Sequence, residues 1–441
     1  MTTEEILALE PRLARYLSEF ADCFGRSEPR SHLADYVRGQ MSDMRRKSVE
    51  PLADFAGKAP RTLQEFLRTD EWDHAQMRDR LQQIVLRDHF DPQGIAILDD
   101  SGHRKKGKHT ACVGRQYCGN AGKVDNCVVT VHLSYASFNA KFRAMLDSTP
   151  YLPLSWHEDR ERCQRAGIPD DVVYRPKYGI ALEQLDRARA LGFDFAWHVA
   201  DSWYGEKPKF IDGLDDRGRR FVLEVPHNLP GWSFDPGGQP PYPPRPASSI
   251  ARHAKGMMRQ PWARFQIKDT DKGPLLWEVK ATPFWRRRDD GRIAGPYWLI
   301  WARNVLNPNE AKYLLSNASP GTPLEVILHV GFGRWPIERC LQDEKSHLGL
   351  SHFEVRNYQS LCRHLFITQV SHLFLAQETC RLRKKKSPDH DLPSPRSGRR
   401  TDRRLAAFRQ EKAFAVEPTG RDPTTNATPQ RLRQTVPRQN P

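Results

Sequence analysis

Two short apolar runs that each lead into aspartate constrain this chain more than any other feature. Ile95-Ala96-Ile97-Leu98 is followed by Asp99 and Asp100, and the run 195–200 (FAWHVA) is followed by Asp201. Apolar runs of this length, bounded by polar residues, suit buried strands. Between them, residues 128–133 alternate Val, Thr and His in strand fashion, and residues 181–191 have a helical period. Strand and helix patterns thus interleave. The reading is an α/β core in which two buried strands each deliver an Asp at or beyond their ends.

The flanks read differently. In residues 1–90, Ile6, Leu9, Leu13, Tyr16, Leu17 and Phe20 recur at helical spacing, as do Leu33, Tyr36, Val37, Met41 and Met44. Thr2 with Glu5, and Thr62 with Glu65, have capping-box spacing. The segment is expected to be a helical domain, either gripping DNA with its Arg and Lys or simply presenting a solvated charged surface. Residues 91–205 form the first part of the core. Residues 206–310 read as a β-rich insertion, with strand candidates at 220–225, 265–268, 275–280 and 297–302 and a Pro/Gly loop at 235–246. Residues 311–380 return to the core, with helix starts at Thr322-x-x-Glu325 and at Pro336 and an apolar helix over 361–376.

Composition bounds the partners. The 441 residues hold 69 Lys and Arg against 54 Asp and Glu, a net charge of +15. Residues 381–441 contain sixteen of those cations and six of the acids, so ten of the fifteen excess charges sit there. That segment lacks Trp, Tyr and Cys and is expected to be a disordered basic tail. No apolar run approaches the roughly 20 residues of a membrane span. The eight cysteines are dispersed with no C-x-x-C pair, which argues against a secreted disulfide scaffold. A cytoplasmic, nucleoid-associated protein is expected.

Three acids carry the chemistry best. Asp99 (or Asp100), Asp201 and Glu338 are hard oxygen donors that tertiary folding could bring together around Mg²⁺; they could equally be ordinary surface acids. In Arg334-Trp-Pro-Ile-Glu338-x6-Lys345, Glu338 and Lys345 lie about two turns apart on one helical face and Arg334 precedes them. One acid between two cations suits a metal with a phosphate, or a salt-bridged surface helix. Gly102-His-Arg-Lys-Lys-Gly107-Lys108 mimics a phosphate-binding loop, but His109 stands where a hydroxyl is required and no helix follows. The nucleotide-site reading is rejected, although Lys105, Lys106 and Lys108 could contact a phosphate backbone.

Taken together, these stretches resemble the DDE transposases of bacterial insertion sequences, in the group with a Tyr-x2-Arg-x3-Glu-x6-Lys signature. The likeness lies in ILDDSGHRKKGKHTACVGRQYCGNAGKVDNCVVTVHLSY (97–135), HVADSWYG (198–205) and RWPIERCLQDEKSHLGLSHFEVRNY (334–358), and spans roughly residues 25–380. It implies an RNase-H-like mixed sheet with a β-rich insertion and a helical N-terminal domain. It also implies catalytic and metal-binding roles for Asp99, Asp201 and Glu338, with Asp100 the alternative to Asp99. Two Mg²⁺ or Mn²⁺ ions are implied, and DNA contacts by Arg334 and Lys345. The signature Tyr is replaced by Gly331.

In relatives the insertion supports a flipped base. Trp277, Trp285 and Trp298 are therefore candidates for stacking or for core, and Trp285, Arg286 and Arg287 rank first. The implied function is binding of terminal inverted repeats, cleavage at the ends and strand transfer, in a homodimer on double-stranded DNA and without a membrane. The alternatives are a catalytically silent, repressor-like derivative and a metal-dependent nuclease without strand transfer.

Overall fold

A computed structural model describes residues 3–237, 240, 242–270 and 273–386. Its centre is a ten-stranded mixed sheet. The strands are β1 Ile95–Arg104, β2 Gly114–Cys118, β3 Lys123–Ala136, β4 Arg143–Pro150, β5 Trp197–Ala200 and β6 Phe221–Val225. A two-residue pair, β7 Pro230–Gly231 and β8 Arg245–Pro246, stands apart, followed by β9 Ala263–Thr270, β10 Gly273–Arg287, β11 Ile293–Asn304 and β12 Ala311–Ser316. The order is β2-β3-β1-β5-β6-β12-β11-β10-β9, with β4 also pairing β3. β1, β5 and β6 run parallel to one another, and the other neighbours are antiparallel. This is the mixed α/β architecture that the alternating pattern implied, and the RNase-H-like sheet that the resemblance implied. The insertion does not close into a sandwich of its own: β9, β10 and β11 lengthen the central sheet through β12.

Strand parity sorts the core. In β1, Ala96 and Leu98 belong to an apolar cluster with Leu182, Leu185 and residues of the N-terminal helices. Ile95 and Ile97 belong to the opposite one, with Trp197, Val199, Ile327, Leu328, Ile337 and Cys340. Successive strand residues point to opposite faces, so the sheet is buried on both. The Lys177–Ala190 helix and the N-terminal helices cover one face, and the Leu324–Phe332 and Trp335–Asp343 helices cover the other.

The N-terminal helices share their core with the Tyr358–Lys386 helix, which runs beyond the apolar stretch 361–376. Tyr36 meets His364 at 2.9 Å, and the Tyr16 hydroxyl donates to the Val370 carbonyl at 2.9 Å. Arg363, buried at 1% exposure, donates to the carbonyls of Phe66, Asp70 and Trp72. From residue 387 the tail lies outside the described residues, as do Thr2 of the first capping box and residues 238, 239 and 241 of the Pro/Gly loop.

Both remaining capping boxes are corrected. The helix containing Thr62 already starts at Pro60, and the one containing Glu325 starts after Pro323, so neither threonine caps. In the first case a proline in the first turn, with its fixed φ, begins the helix before the hydroxyl can. Among the described residues no helix is long and apolar enough to cross a membrane. Seven of the eight cysteines are buried free thiols, and the half-buried Cys380 donates to the Lys141 carbonyl at 3.3 Å.

Candidate active site

The first aspartate is not at a strand end. β1 continues through Asp99 and Asp100 to Arg104, because β3 pairs with it along its whole length, Asp99 opposite His132 and Arg104 opposite Cys127. What stops is its other neighbour. β5 ends at Ala200, opposite Leu98, so the next residue of each strand, Asp99 and Asp201, leaves the parallel pair at the same level. The acids stand in the notch where β1 loses a partner.

Parity then separates Asp99 from Asp100. Asp99 continues the row of Ile95 and Ile97, towards the Trp335–Asp343 helix. Its Oδ2 accepts from Arg334 at 2.6 Å, and the other end of that guanidinium donates to Glu338 one turn on. Asp100 takes the opposite row and accepts from Lys177 at 2.8 Å. Asp201 heads the short Ser202–Gly205 helix, where its Oδ1 accepts from the backbone N–H groups of Trp203 (3.1 Å) and Tyr204 (3.3 Å).

Charge is poorly balanced here. Burial pushes the Asp99 carboxyl up to about 7; Arg334 pulls it back and Asp201 adds repulsion. Burial also raises Asp201, against Arg334 and its own N–H donors. A carboxyl raised in the folded state contributes stability at low pH, which is lost as pH rises through its folded value. Asp99→Asn in EDTA should therefore melt above wild type at pH 8. The difference should close as pH falls below about 7 towards the ordinary carboxylate value. Melting curves across that range check this, and a variant less stable at every pH would refute it.

Among the described residues no three acidic, His or Cys groups stand ready around a common point. Arg334 holds the cationic position between Asp99 and Glu338. The donor set still fits a divalent ion: three hard carboxylates, two of them in buried surroundings that disfavour their charge, and Glu338 with its side chain 57% exposed. Burial lowers the Lys345 pKa, partly opposed by Asp99, and its ammonium donates to Asn120 at 3.0 Å, which in turn donates to the Gly102 carbonyl. The Trp335–Asp343 helix gives way to a π-helical turn, Glu344–Leu348, that carries Lys345.

Several expected contacts change role. Lys105 donates to the carbonyls of Ser351 (3.1 Å) and Phe353 (2.6 Å) and lies 3.4 Å from the Phe353 ring centre, so it ties two segments together instead of meeting phosphate. Arg286 is 2% exposed and ion-paired with Asp212, which removes it from any DNA surface. Trp277 is core, 4.9 Å from Phe332. Lys106, Lys108 and Arg287 are exposed, and Trp285 and Trp298 are half-buried.

Sequence reading passed over Lys177, Tyr204 and Gly205. Lys177 carries no local signal, since only the packing of its helix on the sheet brings it to Asp100. The buried Tyr204 hydroxyl has no protein hydrogen-bond partner, and the charges of Asp99, Asp100 and Asp201 act on it after burial in raising its pKa. Tyr204 and Gly205 did stand in the HVADSWYG block. A Cβ on Gly205 would lie 2.0 Å from the Glu224 carbonyl oxygen, a backbone atom of β6. Gly205→Ala is therefore expected to cost about 1–3 kcal/mol through overpacking, read from denaturant melts; an unchanged midpoint would contradict it.

The profile of the DDE superfamily endonucleases matches residues 19–274, a span that takes in Asp99 and Asp201 and stops before Glu338. A probable transposase for insertion sequence element IS701, from Microchaete diplosiphon, is 28% identical over 327 residues, covering 73% of this chain and 76% of that protein. With more than half of its length inside the family profile, the chain belongs to the DDE superfamily endonucleases, in the group of insertion-sequence DDE transposases.

Proposed function

We propose that this chain cuts DNA at the ends of an insertion sequence and joins the freed 3′-hydroxyl to a target strand, with Asp99, Asp201 and Glu338 holding two Mg²⁺ or Mn²⁺ ions. Divalent ions serve DDE nucleases generally. When bound, such ions supply an activated water or hydroxyl and stabilise the leaving oxygen. The observation that carries the reading is the parallel register of β1 and β5. It levels Asp99 with Asp201 on the face covered by the helix of Glu338.

The chain's own residues do the positioning. Arg334, a planar fork with two carboxylate partners, bridges Asp99 and Glu338 and can pass one arm to a DNA phosphate. Lys345 adds positive charge on the same side. Lys106, Lys108 and Arg287 are free of burial and suit backbone contacts. Two ends must be held at once, so the working unit is a homodimer on double-stranded DNA.

The test is Mn²⁺-dependent cutting of a duplex that carries the inverted repeats flanking the gene, compared with Asp201→Asn. Equal cutting by both proteins would end this reading. Cutting without any joined product would reduce it to a nuclease.

A further inference from the structure

A second basic site borders the helix that carries Glu338. A cavity of about 270 Å³ opens between the start of β4, the end of the Trp335–Asp343 helix and the last turns of the Tyr358–Lys386 helix. Four cations line it, Lys141, Arg143, Arg339 and Arg383, with Asp343 as the carboxylate among its lining residues and His372 at its wall. Asp343 takes up only part of that charge, through Arg339 at 3.0 Å and Arg143 at 3.4 Å. Lys141 and Arg383 are exposed and have no ion-pair partner among the described residues.

Donor capacity is also left over. Nε of Arg143 is buried without a hydrogen-bond partner, whereas the buried His372 turns its Nδ1 towards Glu344, 3.7 Å away. The Arg143 guanidinium is held 5.6 Å from the Trp335 ring centre, which fixes its plane. Behind His372, Glu344 is wholly buried and burial pushes its carboxyl up to about 8, so it holds its proton at neutral pH and adds no negative charge to the cavity.

We propose that this cavity binds one backbone phosphate of the DNA strand that runs past Glu338. Converging guanidinium and ammonium groups with unfilled donor positions are the chemistry of phosphate recognition. The placement gives the source. Glu338 and Arg339 are neighbours on one helix, and Asp343 lies about 7 Å further along it. A strand led to Glu338 and continued along this helix towards Asp343 reaches the cavity within that distance. The assignment to DNA rests on the proposed function, whereas the phosphate chemistry does not.

The experiment uses the full chain in EDTA, a labelled duplex of about 30 base pairs and inorganic phosphate as separate probes. Affinity for the duplex is measured against salt concentration. The double variant K141Q/R339Q is expected to bind about 3- to 10-fold more weakly and to flatten the log–log salt slope by about one, the signature of a lost phosphate contact. K141R/R339K should keep the wild-type slope. Both positions are exposed, so folding is retained, and circular dichroism verifies it. An unchanged slope in K141Q/R339Q overturns the proposal. So does inorganic phosphate binding that is lost in K141Q/R339Q while the duplex slope stays put, which would make the cavity a free-anion site. Cutting plays no part in this measurement. If wild type cuts nothing yet K141Q/R339Q flattens the slope, the phosphate site stands and the catalytic reading falls alone.

Discussion

Asp201→Asn is expected to lower Mn²⁺-dependent cutting of end-bearing DNA by at least about 10³-fold, some 4 kcal/mol of barrier, while leaving the fold intact. The amide keeps an oxygen that can still accept from the N–H groups of Trp203 and Tyr204, so the short helix that follows keeps its cap. What is lost is the negative charge beside Asp99. Since burial already disfavours charge on Asp201, the substitution should not cost stability without metal, and the melting temperature in EDTA should be equal or higher. Single-turnover assays on a labelled duplex give the rate. A loss of only a few-fold would mean that Asp201 is a capping residue and nothing more.

Arg286→Leu tests the opposite kind of claim, that a residue in a basic run is structural. The Arg286-Asp212 pair is buried in the insertion, Tyr297 lies beside it, and Asp212 also accepts from the Asp289 N–H at 2.9 Å. Removing Arg286 leaves Asp212 with only the longer ion pair to Arg288 at 3.8 Å, at a cost of about 3–5 kcal/mol. The expected result is a large drop in melting temperature with DNA affinity per folded molecule unchanged. If affinity falls and the salt slope flattens while stability holds, Arg286 faces DNA after all. Arg287, its exposed neighbour, should give that second pattern.

The contrast between these two arginines explains what could and could not be read beforehand. The apolar strands, their order of appearance and the helices at 181–191 and 361–376 are local patterns, and periodicity carries them. The acids stood out because charge directly after a buried run has few structural uses. Asp99 and Asp100 could not be separated until a pairing register fixed their parity, and register is a property of two strands. Arg286 and Lys105 looked like DNA contacts because composition marks a cation without marking its partner. Asp212, and the carbonyls of Ser351 and Phe353, are about 70 and 250 residues away, beyond the reach of any local pattern. The sheet-extending course of β9 to β11 was hidden for the same reason, since strand candidates do not announce their neighbours.

The central claim is that the acids facing the Trp335–Asp343 helix hold the metal. It is tested most directly by Mn²⁺ binding, followed by the electron paramagnetic resonance of the free ion, in wild type, Asp99→Asn and Asp100→Asn. The expected result is binding by wild type, its loss in Asp99→Asn and its retention in Asp100→Asn, whose parent carboxylate answers to Lys177 on the other face. Undiminished binding in Asp99→Asn, or loss confined to Asp100→Asn, would contradict it.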